Sequence, residues 1–132
     1  METVLLDTDV VSFIFKRDTR AAAYSKHLEG KIPAISFMTV AELFQWAEVR
    51  QWGEQRRSQL EEALKAYAIF PFDVHVCRIW GEVGAKCQAS GNRISAQDAW
   101  IAACALHYDL PLLTHNSQDF QAVEGLHIIT VA

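Results

Sequence analysis

Short, fully apolar runs alternate along the chain with longer stretches whose apolar residues recur every three or four positions. Val4-Leu5-Leu6 is such a run and stops at Asp7, which predicts a short buried strand. Val10, Val11, Phe13 and Ile14 follow at helical spacing, and a second helix is expected over about 20–28. Residues 32–37, with Pro33 near the start, predict the second strand. Helices are expected over 39–52 and 54–67, then a strand or extended link over 68–72. Further helices are expected over 74–89, closing at Gly91, and over 95–108. Residues 110–114 and 127–131 predict the last strands. Strands alternating with helices imply crossover connections and a mostly parallel sheet covered on both faces, an α/β fold. The 132 residues suit one domain spanning 1–132.

In such folds sites form at the carboxyl ends of the strands, and acids collect there. Asp7 and Asp9 follow the first strand, and Glu42 lies one turn into the helix after the second. Asn116 and Asp119 follow Leu112-Leu113-Thr114, and Asp98 lies in the first turn of the helix that begins near Ser95. Each also fits a plain structural role. Asp7 suits a helix cap, and Thr39-x-x-Glu42 and Ser95-x-x-Asp98 match the capping box. Asn116 or Ser117 suits the cap of a short turn, with Asp119 favoured by its dipole.

Two patterns argue for more than capping. On a helical wheel Val40, Leu43, Phe44 and Ala47 form one apolar stripe, and Glu42 points nearly opposite, free to reach a cleft. From Ala96 to Leu106, Asp98 is the only charged residue, on a helix apolar on every side. An ionised carboxylate at the start of a buried helix needs a counter-charge. No Lys or Arg lies within a turn on that helix, and Arg93 lies just outside it. A divalent cation is an economical partner. Oxygen donors without a His/Cys cluster suit Mg²⁺ or Mn²⁺ rather than zinc.

Composition narrows the classes. Apolar residues make up 51% and charged residues 21%, which excludes a disordered chain. The net charge of −4 argues against a protein that coats nucleic acid, but not against an enzyme that meets it through metal ions. Cys77, Cys87 and Cys104 are odd in number and lack Cys-x-x-Cys spacing, which suits reduced thiols. No signal peptide or membrane span is expected, and the protein is read as cytoplasmic. His27, His75, His107, His115 and His127 are scattered without His-Glu-x-x-His, and Gly81 to Lys86 lacks phosphate-loop spacing.

Leu5-Leu6-Asp7-Thr8-Asp9, Thr39-Val40-Ala41-Glu42-Leu43, Ser95 to Ala103 and Thr114 to Phe120 together resemble the successive motifs of PIN-domain ribonucleases, most nearly the VapC type. Order and spacing agree over essentially the whole chain. The resemblance implies a three-layer α/β/α sandwich around a parallel sheet and cleavage of RNA with Mg²⁺ or Mn²⁺ held by acids. It implies that Asp7 and Asp98 are the principal metal ligands, with Glu42 as the acid between them, binding or orienting the water. Asn116, where some members carry aspartate, and Asp119 are the candidates for the fourth position. Asp9 stands where many members carry asparagine. It also implies a homodimer and a cognate antitoxin protein as partner.

Two rivals follow from the same residues. Asp7-Thr8-Asp9-Val10-Val11 after an apolar strand fits the haloacid-dehalogenase-like phosphatases, but the later lysine and paired aspartates of that family are missing. A non-catalytic PIN-like interaction module is the other, with the acids only capping. Thr114 and Ser95 are candidates to hydrogen-bond a carboxylate or phosphate. Lys16, Arg17, Lys86 and Arg93 are the cations offered to RNA, each equally an ordinary surface charge. Trp46, Val49 and Trp52 lie away from the core stripe of their helix, as an interface or as a second core contact.

Overall fold

The computed structural model describes all residues, 1–132. Five parallel strands form one sheet: β1 (Thr3–Leu6), β2 (Ile32–Ser36), β3 (Ala68–Phe70), β4 (Leu112–Leu113) and β5 (Ile128–Ile129). Their order across the sheet is β3-β2-β1-β4-β5. The helices are α1 (Thr8–Lys16), α2 (Ala21–Ser25), α3 (Phe37–Val49), α4 (Glu54–Leu64), α5 (Val74–Ala89) and α6 (Ala96–His107). Turns of 3-10 helix occupy Lys26–Leu28 and Ser117–Phe120.

Alternation along the strands sorts the core into two. Val4, Leu6, Ile35 and Leu113 face one side with Val10, Val11, Phe13, Tyr24, Leu43, Leu60 and Leu64, so α1 to α4 cover that face. Leu5, Ala34 and Leu112 face the other side with Val83, Cys87, Ile101, Ala102, Cys104 and Phe120, under α5 and α6. These are the three layers expected, and every strand pair is parallel. Ala99, Ala102, Ala103 and Ala105 of α6 are buried along with Ile101 and Cys104, as its uniform apolar sequence requires. No helix is long and apolar enough to cross a membrane.

Several details depart from the sequence expectations. The 20–28 helix is one α turn that tightens into a 3-10 turn. The fourth and fifth strands keep only two paired residues each, since only Leu112–Leu113 and Ile128–Ile129 find partners. Helix α3 starts at Phe37, not Thr39, because Ser36 is the cap: its side-chain oxygen accepts the Thr39 N–H at 3.3 Å. The Thr39-x-x-Glu42 capping box is therefore not formed. The 117–120 turn likewise has no side-chain cap. Phe44 is 41% exposed and lies outside the core stripe that Leu43 and Ala47 fill. Trp46 and Trp52 pack against the core, with Phe15 stacked on Trp52 at 5.7 Å, while Val49 is exposed.

Candidate metal centre

In the sheet order, β1 lies between β2 and β4. The chain runs outward from β1 to β2 and β3, then returns to build β4 and β5 on the other side. Such a switch point leaves a crevice outside the carboxyl ends of the two neighbouring strands. Asp7 is the first residue after β1, and Thr114 the first after β4.

Asp7 is both cap and candidate ligand. Its Oδ1 accepts the Thr8 N–H at 2.8 Å, and its Oδ2 accepts the Thr114 hydroxyl at 2.7 Å. The Thr114 oxygen in turn accepts the Asn116 N–H at 3.0 Å. Asp7 is buried, and its pKa is raised to about 8, first by that burial and then by the Asp9 charge, with Asp98 adding to it. The bonds from Thr114 and Thr8 pull it back only in part.

Asp9 lies beside it in the first turn of α1. Its Oδ1 accepts the Val10 N–H at 2.7 Å, and its Oδ2 accepts the His115 N–H at 3.1 Å and the Asn116 side-chain amide at 2.9 Å. Burial lifts its pKa against those donors. The His115 ring is held by a 2.6 Å hydrogen bond between Nδ1 and the Tyr24 hydroxyl, and packs edge-on to Phe13 and Tyr24. That packing anchors the backbone N–H that reaches Asp9.

Glu42 reaches the same place from α3. Its Oε1 accepts the Thr8 hydroxyl at 2.8 Å. The Thr8 and Thr39 hydroxyls lie 2.9 Å apart. Thr8 has one proton, spent on Glu42, so Thr39 donates to Thr8. Glu42 is half-buried, and its pKa is raised by burial and then by the charges of Asp98 and Asp9. Asp98 opens α6, where the Ser95 side chain caps the helix by accepting the Asp98 N–H at 3.1 Å. Burial raises its pKa too, with Asp119 and Asp9 adding to the rise against a bond from Ser95.

The structure thus brings Asp7, Asp9, Glu42 and Asp98 within electrostatic reach of one another. Asn116 joins through Asp9 as a donor. Asp119 lies exposed on the 117–120 turn and is felt by Asp98. No ion pair includes any of these acids, and Arg93 does not reach Asp98. A like-charged cluster with raised pKa values and no ion pair to a Lys or Arg fits a hard divalent ion. No three of its members are already gathered at metal-holding distance. Mg²⁺ suits that looser arrangement, since it keeps several waters and takes one or two carboxylates.

Asp9 stands beside Asp7 in the crevice, as its place after the first strand predicts, whereas Thr8 and Thr39 are not among the site residues the sequence suggests. Thr8 is flanked by two acids, which was the available signal. Thr39 was hidden by its likeness to a helix cap.

The PIN domain family profile matches residues 4–126. The chain is 31% identical to VapC ribonuclease Y4jK of Sinorhizobium fredii, across 96% of this chain and 95% of that protein. Among solved structures it resembles VapBC-1 from nontypeable Haemophilus influenzae, with a TM-score of 0.83, 27% identity and 97% of each chain covered. A toxin–antitoxin complex from Klebsiella pneumoniae is similar at a TM-score of 0.72 and 25% identity, covering 96% of each chain. With the acids at the β1/β4 crevice and a match over nearly its whole length, the chain belongs to the PIN-domain family, among the VapC ribonucleases.

Proposed function

We propose that this protein is a divalent-metal-dependent endoribonuclease and the toxin of a toxin–antitoxin pair. The observation that carries the reading is the cluster of Asp7, Asp9, Glu42 and Asp98, held without an ion pair at the β1/β4 crevice of a PIN-domain chain. Asp7 and Asp98 are the ligands of the reading, with Glu42 the third acid. Bound Mg²⁺ or Mn²⁺ supplies a nucleophile from water near neutral pH and offsets charge on the phosphoryl oxygens.

The chain's own groups do the rest. Thr8 fixes the Glu42 carboxylate, and a raised pKa makes that carboxylate a stronger base for the proton of the attacking water. Thr114 and the Thr8 N–H orient Asp7, leaving one lone pair on each of its oxygens for a ligand. Asn116 and the His115 N–H orient Asp9, so Asn116 acts here by positioning, and Asp119 extends the negative field outward.

An antitoxin partner belongs to the same reading. So does a homodimer, supported by exposed Phe37 and Phe44, two turns apart on α3, with Val74 exposed on α5. Three free cysteines fit a reducing cytoplasm. Nothing favours the phosphatase, whose later lysine and paired aspartates are absent.

The test is an RNA cleavage assay on antitoxin-free protein with Mn²⁺, Mg²⁺ or EDTA, beside Asp98→Asn. Discrete metal-dependent cuts that the variant loses are expected. A fully active Asp98→Asn protein would sink the ligand assignment.

A further inference from the structure

The two tryptophans carry an unexpected load on their outer faces. The Arg56 guanidinium lies 4.3 Å from the ring centre of Trp52 and 5.8 Å from that of Phe15. The Arg50 guanidinium lies 5.0 Å from the centre of Trp46, and the Lys16 ammonium 5.9 Å from the same ring. Three cations from α1, the end of α3 and α4 thus share one aromatic floor. All three are exposed, and none takes part in an ion pair. Their neighbours differ: Arg57 pairs with Glu48, and Arg20 with Asp18. Burial and then the charges of Arg50 and Arg56 hold the Lys16 ammonium below its usual range, and Asp18 offsets them only in part, so the three cations lie close enough to feel one another. A positive patch on a chain of net charge −4 makes this end of the molecule the one that attracts a polyanion.

The patch is tied to the acidic crevice by two helices. Thr8 to Lys16 on α1 and Glu42 to Arg50 on α3 are each eight residues, about 12 Å along the axis. A stacked strand covers that distance in about four nucleotides, at roughly 3.4 Å each. Guanidinium groups laid on indoles bind phosphate while presenting a flat face on which a base can stack.

We infer that Lys16, Arg50 and Arg56, with the Trp46 and Trp52 floor beneath them, form a subsite for the single-stranded RNA backbone about four nucleotides from the scissile phosphate. This rests on the ribonuclease reading above, yet it is tested without cleavage. Binding of fluorescent single-stranded RNA of 4 and 16 nucleotides is measured in EDTA across a salt series. The proteins are wild type, K16Q/R50Q/R56Q and the control K26Q/K31Q/K65Q, whose lysines lie outside the patch. With three phosphate contacts removed, the slope of log affinity against log salt should fall by about 2. Affinity for the longer RNA at low salt should fall about tenfold or more in the patch variant and far less in the control. In Mn²⁺ the matching loss should fall on KM.

Equal affinity and salt slope for wild type and patch variant would overturn the subsite. So would an equal loss in the control. Loss of binding to polyglutamate with RNA binding intact would also overturn it, assigning the patch to an acidic protein partner. Wild type that binds RNA through the patch but cuts none would instead overturn the ribonuclease reading and leave the subsite standing.

Discussion

Replacing Asp7 with Asn should make the metal-free protein more stable while abolishing its response to metal. Asp7 is buried, and its folded pKa near 8 stands against an ordinary 3.8. A carboxyl raised in this way holds its proton longer folded than unfolded. Its contribution is therefore most favourable at or below about pH 4, and is lost as pH climbs toward 8, at about 1.4 kcal/mol per pH unit. At pH 7 the accumulated cost is about 4 kcal/mol on the same scale. Asn carries no charge and keeps the Thr8 N–H bond through its oxygen. Its amide faces the Thr114 hydroxyl, which must then accept rather than donate, leaving one proton unused at a cost of about 1 kcal/mol. The net gain of about 3 kcal/mol is worth roughly 10 °C in Tm for a chain of this size. The assay is thermal melting in EDTA at pH 5, 6, 7 and 8, repeated with Mn²⁺. Wild type should lose stability steadily over that range and regain it with Mn²⁺, more so at higher pH. The variant should be flatter and indifferent to Mn²⁺. A variant that melts below wild type in EDTA at pH 8, yet gains as much from Mn²⁺, would refute both the electrostatic and the ligand argument.

Other outcomes follow from the same contacts. Thr8→Val removes the only side-chain donor to Glu42 and should lower RNA cleavage about 10–100-fold with the fold intact by circular dichroism, the usual effect of losing an outer partner of a metal ligand. Asn116→Ala takes one of three donors from Asp9, and Mn²⁺ titration by calorimetry should show affinity about tenfold weaker. Phe120→Ala empties a fully buried site under α6 and should cost about 3–5 kcal/mol in urea unfolding, independent of metal.

The sequence made the layers and the site's principal acids legible because both rest on local pattern. Val4-Leu5-Leu6 and Leu112-Leu113 are buried on both faces, so their apolar runs are unbroken and end where the acids begin. Asp98 stood out because nothing else on its helix is charged. What could not be read depends on distant partners. Asp9 was legible as an acid at the strand end, but the histidine backbone N–H and the amide that hold it arrive from beyond β4, more than a hundred residues later. Thr8 and Thr39 meet 31 positions apart, and only the packing of α1 against α3 joins them. Ser36 displaced Thr39 as cap because the strand ended one residue earlier than its apolar run. Phe44 fits the wheel as well as Leu43 does, but the wheel does not say how wide a stripe the sheet can cover.

Charge placement resolves the tension between an acidic chain and a polyanionic substrate. On α1 the acids Asp7 and Asp9 stand at the start and Lys16 and Arg17 at the end; each sign lies where the helix dipole favours it. Helix α3 runs alongside, with Glu42 near the crevice and Arg50 at its far end, where Glu48 is neutralised by Arg57. The α1–α3 pair is therefore polarised along its length rather than uniformly negative. The net charge of −4 sums this dipole to a small number and conceals it. For a phosphodiester chain the acidic end is approachable only with a cation in place, whereas the basic end attracts it without one. Metal should then govern whether the scissile phosphate enters the crevice, and the basic end whether the strand is held. The two contributions separate experimentally, since added salt weakens the second far more than the first.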